Sequence, residues 1–163
     1  MLPIQLLRKV SLFQGLSDSQ LESIAELCTE ETYNAGELML QEGEPAKNLY
    51  IVREGKVALD MSVRLWPEQR LRDMTVETLN AGQPVGLSAL TASNVWTMSA
   101  RAVDRCRLIA IPGKSLLQLM DSDPVMASEV NRELSNVLAD RLRYTRISLT
   151  EYLGHRQVAR EEA

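Results

Sequence analysis

Apolar and polar positions along this chain repeat with two different periods, and the changes of period divide it into three parts. Over residues 1–28 the period is helical. In SDSQLESIAELC, Leu21, Ile24, Ala25 and Cys28 recur at i, i+3, i+4 and i+7, which puts them on one face of a helix. Ser17 stands just ahead of this run and Gln20 follows three residues later, the spacing of a capping box. From Thr29 to Pro112 the period shortens. Runs rich in β-forming residues at 29–34, 37–41, 48–52, 56–63, 73–79, 97–103 and 106–111 are separated by turn signals at Gly36, Gly43, Gly55, Pro67, Asn80 to Gly82 and Asp104. Alternation is clear in Val57, Leu59, Met61 and Val63, and recurs with one slip in Met74, Val76 and Leu79. The polar segment LWPEQRLR at 65–72 carries Pro67 and is expected to be an exposed hairpin loop. Many short strands with regular turns predict an antiparallel sandwich, jelly roll or barrel over 29–112.

Beyond Pro112 the pattern is helical again, and residues 113–153 are expected to hold two helices. GKSLLQLMDSD predicts a short one, and Asp123–Pro124 begins a long one with proline in its first turn. Val130, Leu134, Val137, Leu138 and Leu142 form an apolar stripe along the long helix, suited either to packing on the β-region or to pairing with a second copy. Arg141, Arg143 and Arg146 fall near its end, where cations complement the helix dipole, and they read as solvated surface. Gly154 is expected to stop the helix, leaving 154–163 as a frayed tail. No internal repeat interrupts this order, so a single domain is expected.

The order of helix, β-roll and long helix, together with particular residues, carries a family resemblance. NAGELMLQEGEPAKNLYIVREGKVAL, with Gly36, Gly43, NLYIV and Gly55 at the family spacing, resembles the first half of cyclic nucleotide-binding domains. LNAGQPVGLSALTASNVWTMSARAVDRCRLIAI resembles the second half, including its phosphate-binding cassette at 82–102. The likeness extends over roughly residues 10 to 145, to domains found in catabolite-activator-type regulators and in cyclic-nucleotide-regulated kinases and channels, and the chain resembles a catabolite-activator-like sensor domain. It implies an α+β fold: an antiparallel β-jelly roll, a cupin-like double-stranded β-helix, with N-terminal helices and a long C-terminal helix. It also implies a regulatory domain rather than an enzyme, dimerising through that helix and signalling to a protein partner.

In the family the cassette reads Phe-Gly-Glu, a short helix, then Arg and a small residue. Backbone amides and the Arg hold the cyclic phosphate, and the Glu takes a ribose hydroxyl. With Gly86 and Ala89 fixing the register, Leu87 stands in the Glu place, Trp96 in the Arg place and Thr97 in the small polar place, while the amides near Ser88 and Ala89 are kept. Each charge-assisted hydrogen bond lost is worth about 1.5–3 kcal/mol. Losing both would weaken binding by roughly two to four decades. Three readings stay open. The cassette is closed by protein, with Trp96 in the phosphate or base position; or it is retuned for an apolar or weakly anionic ligand; or cyclic nucleotide binding is rescued by Arg101. A regular strand would put Thr97, Ser99 and Arg101 on one face.

Composition removes several classes of function. A net charge of −4 and a pI near 5.1 argue against a domain whose main task is gripping nucleic acid, which usually leaves a basic balance. Only about 15 residues follow Ser148, too few for a helix-turn-helix reader, so no DNA binding is expected. A single histidine, His155, argues against a cupin-type metal site and against a histidine-ligated haem, and no metal or other cofactor is expected. The acidic pairs Glu30–Glu31 and Glu42/Glu44 lie in turns and read as solvated surface. Cys28 and Cys106 form no C-x-x-C pair and read as reduced, mostly buried thiols. MLPIQLLRKVSLF is broken by Arg8 and Lys9 and lacks the features of a signal peptide. No apolar run approaches the roughly 18 residues of a membrane span. The expectation is a stand-alone cytoplasmic regulatory domain.

Overall fold

A computed structural model describes residues 2–65, 67 and 70–161, with residues 65 and 153–161 described by backbone alone. Two N-terminal helices, α1 (Ile4–Leu7) and α2 (Asp18–Leu27), flank a 3-10 turn at Ser11–Phe13. Both halves of the expected capping box at α2 are present: the Gln20 amide donates to Ser17 Oγ, and the Ser17 amide donates to the Gln20 side chain. Eight strands follow: β1 (Thr29–Tyr33), β2 (Leu38–Leu40), β3 (Asn48–Glu54), β4 (Val57–Leu65), β5 (Arg70–Leu79), β6 (Pro84–Val85), β7 (Ser99–Ala102) and β8 (Cys106–Pro112). A second 3-10 turn, Leu87–Leu90, interrupts them, and α3 (Gly113–Ser122) and α4 (Pro124–Glu161) complete the order.

The strands form two four-stranded antiparallel sheets, ordered β1-β8-β3-β6 and β2-β7-β4-β5, which is the expected jelly roll. Strands β3 and β8 form its wall, and both of their faces are buried. Leu49 and Ile51 of β3, with Ile109 and Ile111 of β8, pack outward onto the helices among Phe13, Leu21, Ile24, Leu116 and Val130. Their neighbours Tyr50, Val52, Leu108 and Ala110 point into the roll against Val57, Leu79, Val85 and Trp96. Pairing of Leu49 with Ile111 and of Val52 with Leu108 keeps both faces in register. This explains why NLYIV and CRLIAI read as continuous apolar runs while the one-sided β4 alternates. A slip of one residue in either wall strand would exchange the two cores.

Asp123 caps α4, its carboxylate accepting the amides of Val125 and Met126. The Gln20 side chain donates to the same carboxylate, tying α2 to the start of α4. These bonds hold the Asp123 carboxyl below its ordinary pKa, the Gln20 bond contributing most.

Three local expectations are corrected. Glu30 and Glu31, expected in a turn, lie in β1, where Glu30 pairs with Arg53 and Arg107 and Glu31 accepts from the Tyr33 hydroxyl. The 65–72 loop is shorter than its polarity suggested: β4 reaches Leu65 and β5 begins at Arg70, because beyond Asp60 β4 pairs with the edge strand β5 alone and this solvent-facing ribbon needs no apolar alternation. Its centre, Trp66, Glu68 and Gln69, lies outside the described residues. Gly154 does not stop α4, which runs on to Glu161. An interior glycine costs a helix only about 1 kcal/mol, which weakens a helix without ending it. The expected surface position of His155 lies outside the described side chains.

Gly113 tests the junction between the roll and the helices. A Cβ there would sit 2.6 Å from the Ala89 carbonyl oxygen and 3.0 Å from Ala89 Cβ. Alanine for glycine in a helix normally stabilises, by about 0.5–1 kcal/mol. Overpacking against a fixed neighbour costs about 1–3 kcal/mol and dominates here. Gly113→Ala is therefore expected to lower the urea midpoint, while Lys114→Ala on the exposed side leaves it nearly unchanged.

Candidate functional site: an apolar cavity beneath the C-terminal helix

The turn after β6 shapes the site. Gly86 adopts the left-handed conformation, φ 77° and ψ 41°, and the 3-10 turn Leu87–Leu90 leaves directly from it. A Cβ on Gly86 would meet Trp96 Cζ3 at 2.6 Å and Cη2 at 2.8 Å. The indole lies flush on the glycine backbone, and both the handedness and the close approach require glycine. Trp96 is only 6% exposed and packs among the side chains lining the roll interior. Its backbone is fixed as well: its amide donates to the Glu44 carbonyl, and the Gly43 amide donates to its carbonyl, each at 2.9 Å.

Leu87, in the place where the resembling family has glutamate, is buried. Its side chain joins the helical core and also lines a cavity of about 230 Å³. The cavity is bounded by Leu40 of β2, Leu59 of β4, Val85 and Gly86, Ser88 and Thr91 of the turn, Trp96 to Met98, and Leu138 and Arg141 of α4. Of the expected site residues, Gly86, Leu87, Ser88, Trp96 and Thr97 meet here. Ala89 does not line the cavity; it is buried under Gly113 and anchors the turn from behind.

Arg101 is elsewhere. Its Nε donates to Asp60 Oδ2 at 3.1 Å, and Thr75 donates to the other oxygen of that buried carboxylate at 2.6 Å. The three lie on β7, β4 and β5, and Arg101 pairs in register with Ala58. Regular β7 begins only at Ser99, so Thr97, Ser99 and Arg101 do not act as one face. Thr97 faces the cavity, whereas Ser99 Oγ accepts the Glu42 amide at 3.0 Å.

Arg141 is a cavity-lining position that sequence reasoning missed. Expected as solvated surface, its side chain is 19% exposed and reaches back to the β6 end. It donates through Nη2 to the Pro84 carbonyl, and its Nε lies 3.7 Å from Glu77 Oε1. Burial lowers its pKa from the ordinary arginine value, and the Glu77 charge opposes that shift. The signal was present: Arg141 follows Leu134 by seven residues and Val137 by four, so it falls on the inward stripe. It is also the only charged side chain among the described residues that line the cavity.

The apolar stripe of α4 divides in two. Val130 is fully buried in the helical core, and Leu134 and Val137 pack against that core. Leu138 and Leu142 are about half exposed, at 48% and 50%. The stripe serves intramolecular packing in its first half and is open in its second.

Among the described residues no grouping of His, Cys, Asp and Glu has the form of a metal site. No helix is long and apolar enough there to cross a membrane. Burial raises the thiol pKa of Cys28 to about 12 and also raises that of Cys106, so neither is a ready nucleophile at neutral pH.

Known proteins place this geometry. The chain is 30% identical over 138 residues to glutaminase 1 of Bradyrhizobium diazoefficiens, covering 80% of this chain and 20% of that protein. It is 25% identical over 149 residues to a CRP-like cAMP-activated global transcriptional regulator of Mycobacterium tuberculosis, covering 91% and 62%. It thus spans less than two thirds of either relative. Among solved structures it resembles the Thermus thermophilus catabolite activator protein, with a TM-score of 0.69 at 25% identity over 87% of this chain and 62% of that one. The N-terminal domain of a transcriptional regulator from Streptomyces coelicolor A3(2) superposes with a TM-score of 0.67 at 26% identity, over 88% and 94%. Residues 30–123 match the cyclic nucleotide-binding domain, more than half the chain, and with the jelly roll and long C-terminal helix this shows that the protein belongs to the cyclic nucleotide-binding domain family.

Proposed function

We propose that this is a non-enzymatic regulatory domain that does not hold cyclic nucleotide in the family's usual way and that transmits its state through α4. One observation carries the reading: the Trp96 indole rests on Gly86, in the place where the resembling family has its phosphate-binding arginine. Leu87 removes the matching acceptor, and the Asp60 carboxylate already engages Arg101 on another part of the roll. A cyclic nucleotide entering here would lose its phosphate–guanidinium pair and leave its ribose hydroxyl without an ionised acceptor.

Closure of the cassette is nonetheless incomplete. About 230 Å³ remains between the indole and α4, which favours a second reading of the same site as a sensor for a small ligand. In either case α4 is the output, since Leu138 and Arg141 belong both to the cavity wall and to the helix. Calorimetric titration with cyclic AMP and cyclic GMP tests the first reading. No saturable heat is expected at micromolar ligand, and micromolar binding of either would overturn it.

The open half of α4 supports dimerisation with a second copy. Leu138, Leu142, Leu149 and Tyr152 are exposed, and with Thr145 they follow a 4-3-4-3 spacing, the seam of a two-stranded coiled coil. A two-fold pair would bury the same seam from both chains. Sedimentation should show a dimer that Leu138→Glu weakens at least tenfold, because a charge would enter the seam. A parent chain that sediments as a monomer at tens of micromolar contradicts this arrangement.

A further inference from the structure

The geometry points to the chemical class that the remaining cavity takes: we infer that it binds a small aromatic monocarboxylic acid, with Arg141 as the cation that receives the carboxylate. The inference rests on the small-ligand reading of this site. Leu59, Val85, Leu87 and Met98 supply apolar walls, and Trp96 supplies a flat aromatic one. An apolar cavity of about 150 Å³ takes benzene. The 230 Å³ here is room for a ring and a short acid arm.

Charge selects the acid. Arg141 contributes the lining's one charge among the described residues. It also borders the neighbouring cleft lined by Glu77, Glu133 and Asp140, towards which its guanidinium now turns, so the acid must draw it from that side. Its present partners leave capacity. The Pro84 carbonyl is an uncharged acceptor, and Glu77 at 3.7 Å is beyond the roughly 2.7–2.9 Å of a charge-assisted hydrogen bond. A guanidinium has five N–H donors and a fork suited to a carboxylate, so a bidentate acid competes well with this arrangement. A phosphate dianion is disfavoured, because one cation would face two charges with Glu77 close by. The acid would draw Arg141 away from Pro84, and since Arg141 lies one helical turn beyond Leu138, the ligand would act directly on the exposed seam of α4.

Calorimetry on the full chain with 3-phenylpropionate and its uncharged amide, 3-phenylpropanamide, tests the assignment. The acid is expected to bind saturably and at least tenfold more tightly than the amide. Arg141→Gln should weaken the acid at least tenfold, with folding of the variant checked by its thermal transition. Glu77→Gln, which removes the competing carboxylate, should tighten the acid severalfold and remains informative if Arg141→Gln fails to fold. Equal affinity for acid and amide, an acid affinity unmoved by both substitutions, or no binding of the acid would each overturn the inference. Silence of both the acid and cyclic AMP would overturn this inference alone, whereas micromolar cyclic AMP binding would overturn the proposed function.

Discussion

The contact between the Trp96 indole and the Gly86 backbone organises the cavity end of this molecule. It needs a residue without a Cβ, a left-handed turn and a buried aromatic ring at once, and each requirement supports the others. Left-handed Gly86 aims the 3-10 turn so that Leu87 enters the helical core and Ala89 seats under Gly113. The ring in turn occupies space between the sheets and is held by backbone hydrogen bonds to the turn at Gly43 and Glu44. What is an anion cradle in the resembling family is here an apolar wall. The turn is kept because the roll packs around it, whether or not an anion is present.

That wall stands at the boundary between two cores. Strands β3 and β8 contribute alternate side chains to the roll interior and to the helical layer, so a change on one side of the wall has a packed route to the other. Leu87 and Arg141 make the connection specific. Leu87 touches both the cavity and the helical core, while Arg141 links α4 to β6 and, more loosely, to β5. Past Arg141 the helix leaves the body of the domain, and its apolar residues become exposed. Leu87 and Arg141 thus join the cavity to the helical core and to the helix whose far half is exposed.

Much of the fold was legible because its strongest constraints are local. The capping box at Ser17 and Gln20, the doubly buried runs NLYIV and CRLIAI, and the Asp123–Pro124 helix start each name their element from neighbouring residues. That Leu87 and Trp96 come together at one cavity follows from the same kind of signal, the glycine and short turn that precede them. What failed depended on residues far apart in sequence. The removal of Arg101 from the site depends on Asp60, and the burial of Arg141 depends on Pro84 and Glu77. Charge on a helix near its end suggested solvent, and only the docking of α4 on the roll brings Arg141 beneath the surface. The apolar stripe was likewise one pattern in sequence but divides in the structure, its first half packed on the helical core and its second half exposed.

The most direct measurement restores the two missing side chains together. In the double variant Leu87→Glu, Trp96→Arg, the cavity regains an acceptor and a cation at the cassette positions, and Gly86 no longer carries an indole. Calorimetry is predicted to show saturable cyclic AMP binding by the double variant and none by the parent under the same conditions. Binding by the parent as tight as that of the variant would contradict the claim that Trp96 and Leu87 have taken this site out of cyclic nucleotide recognition.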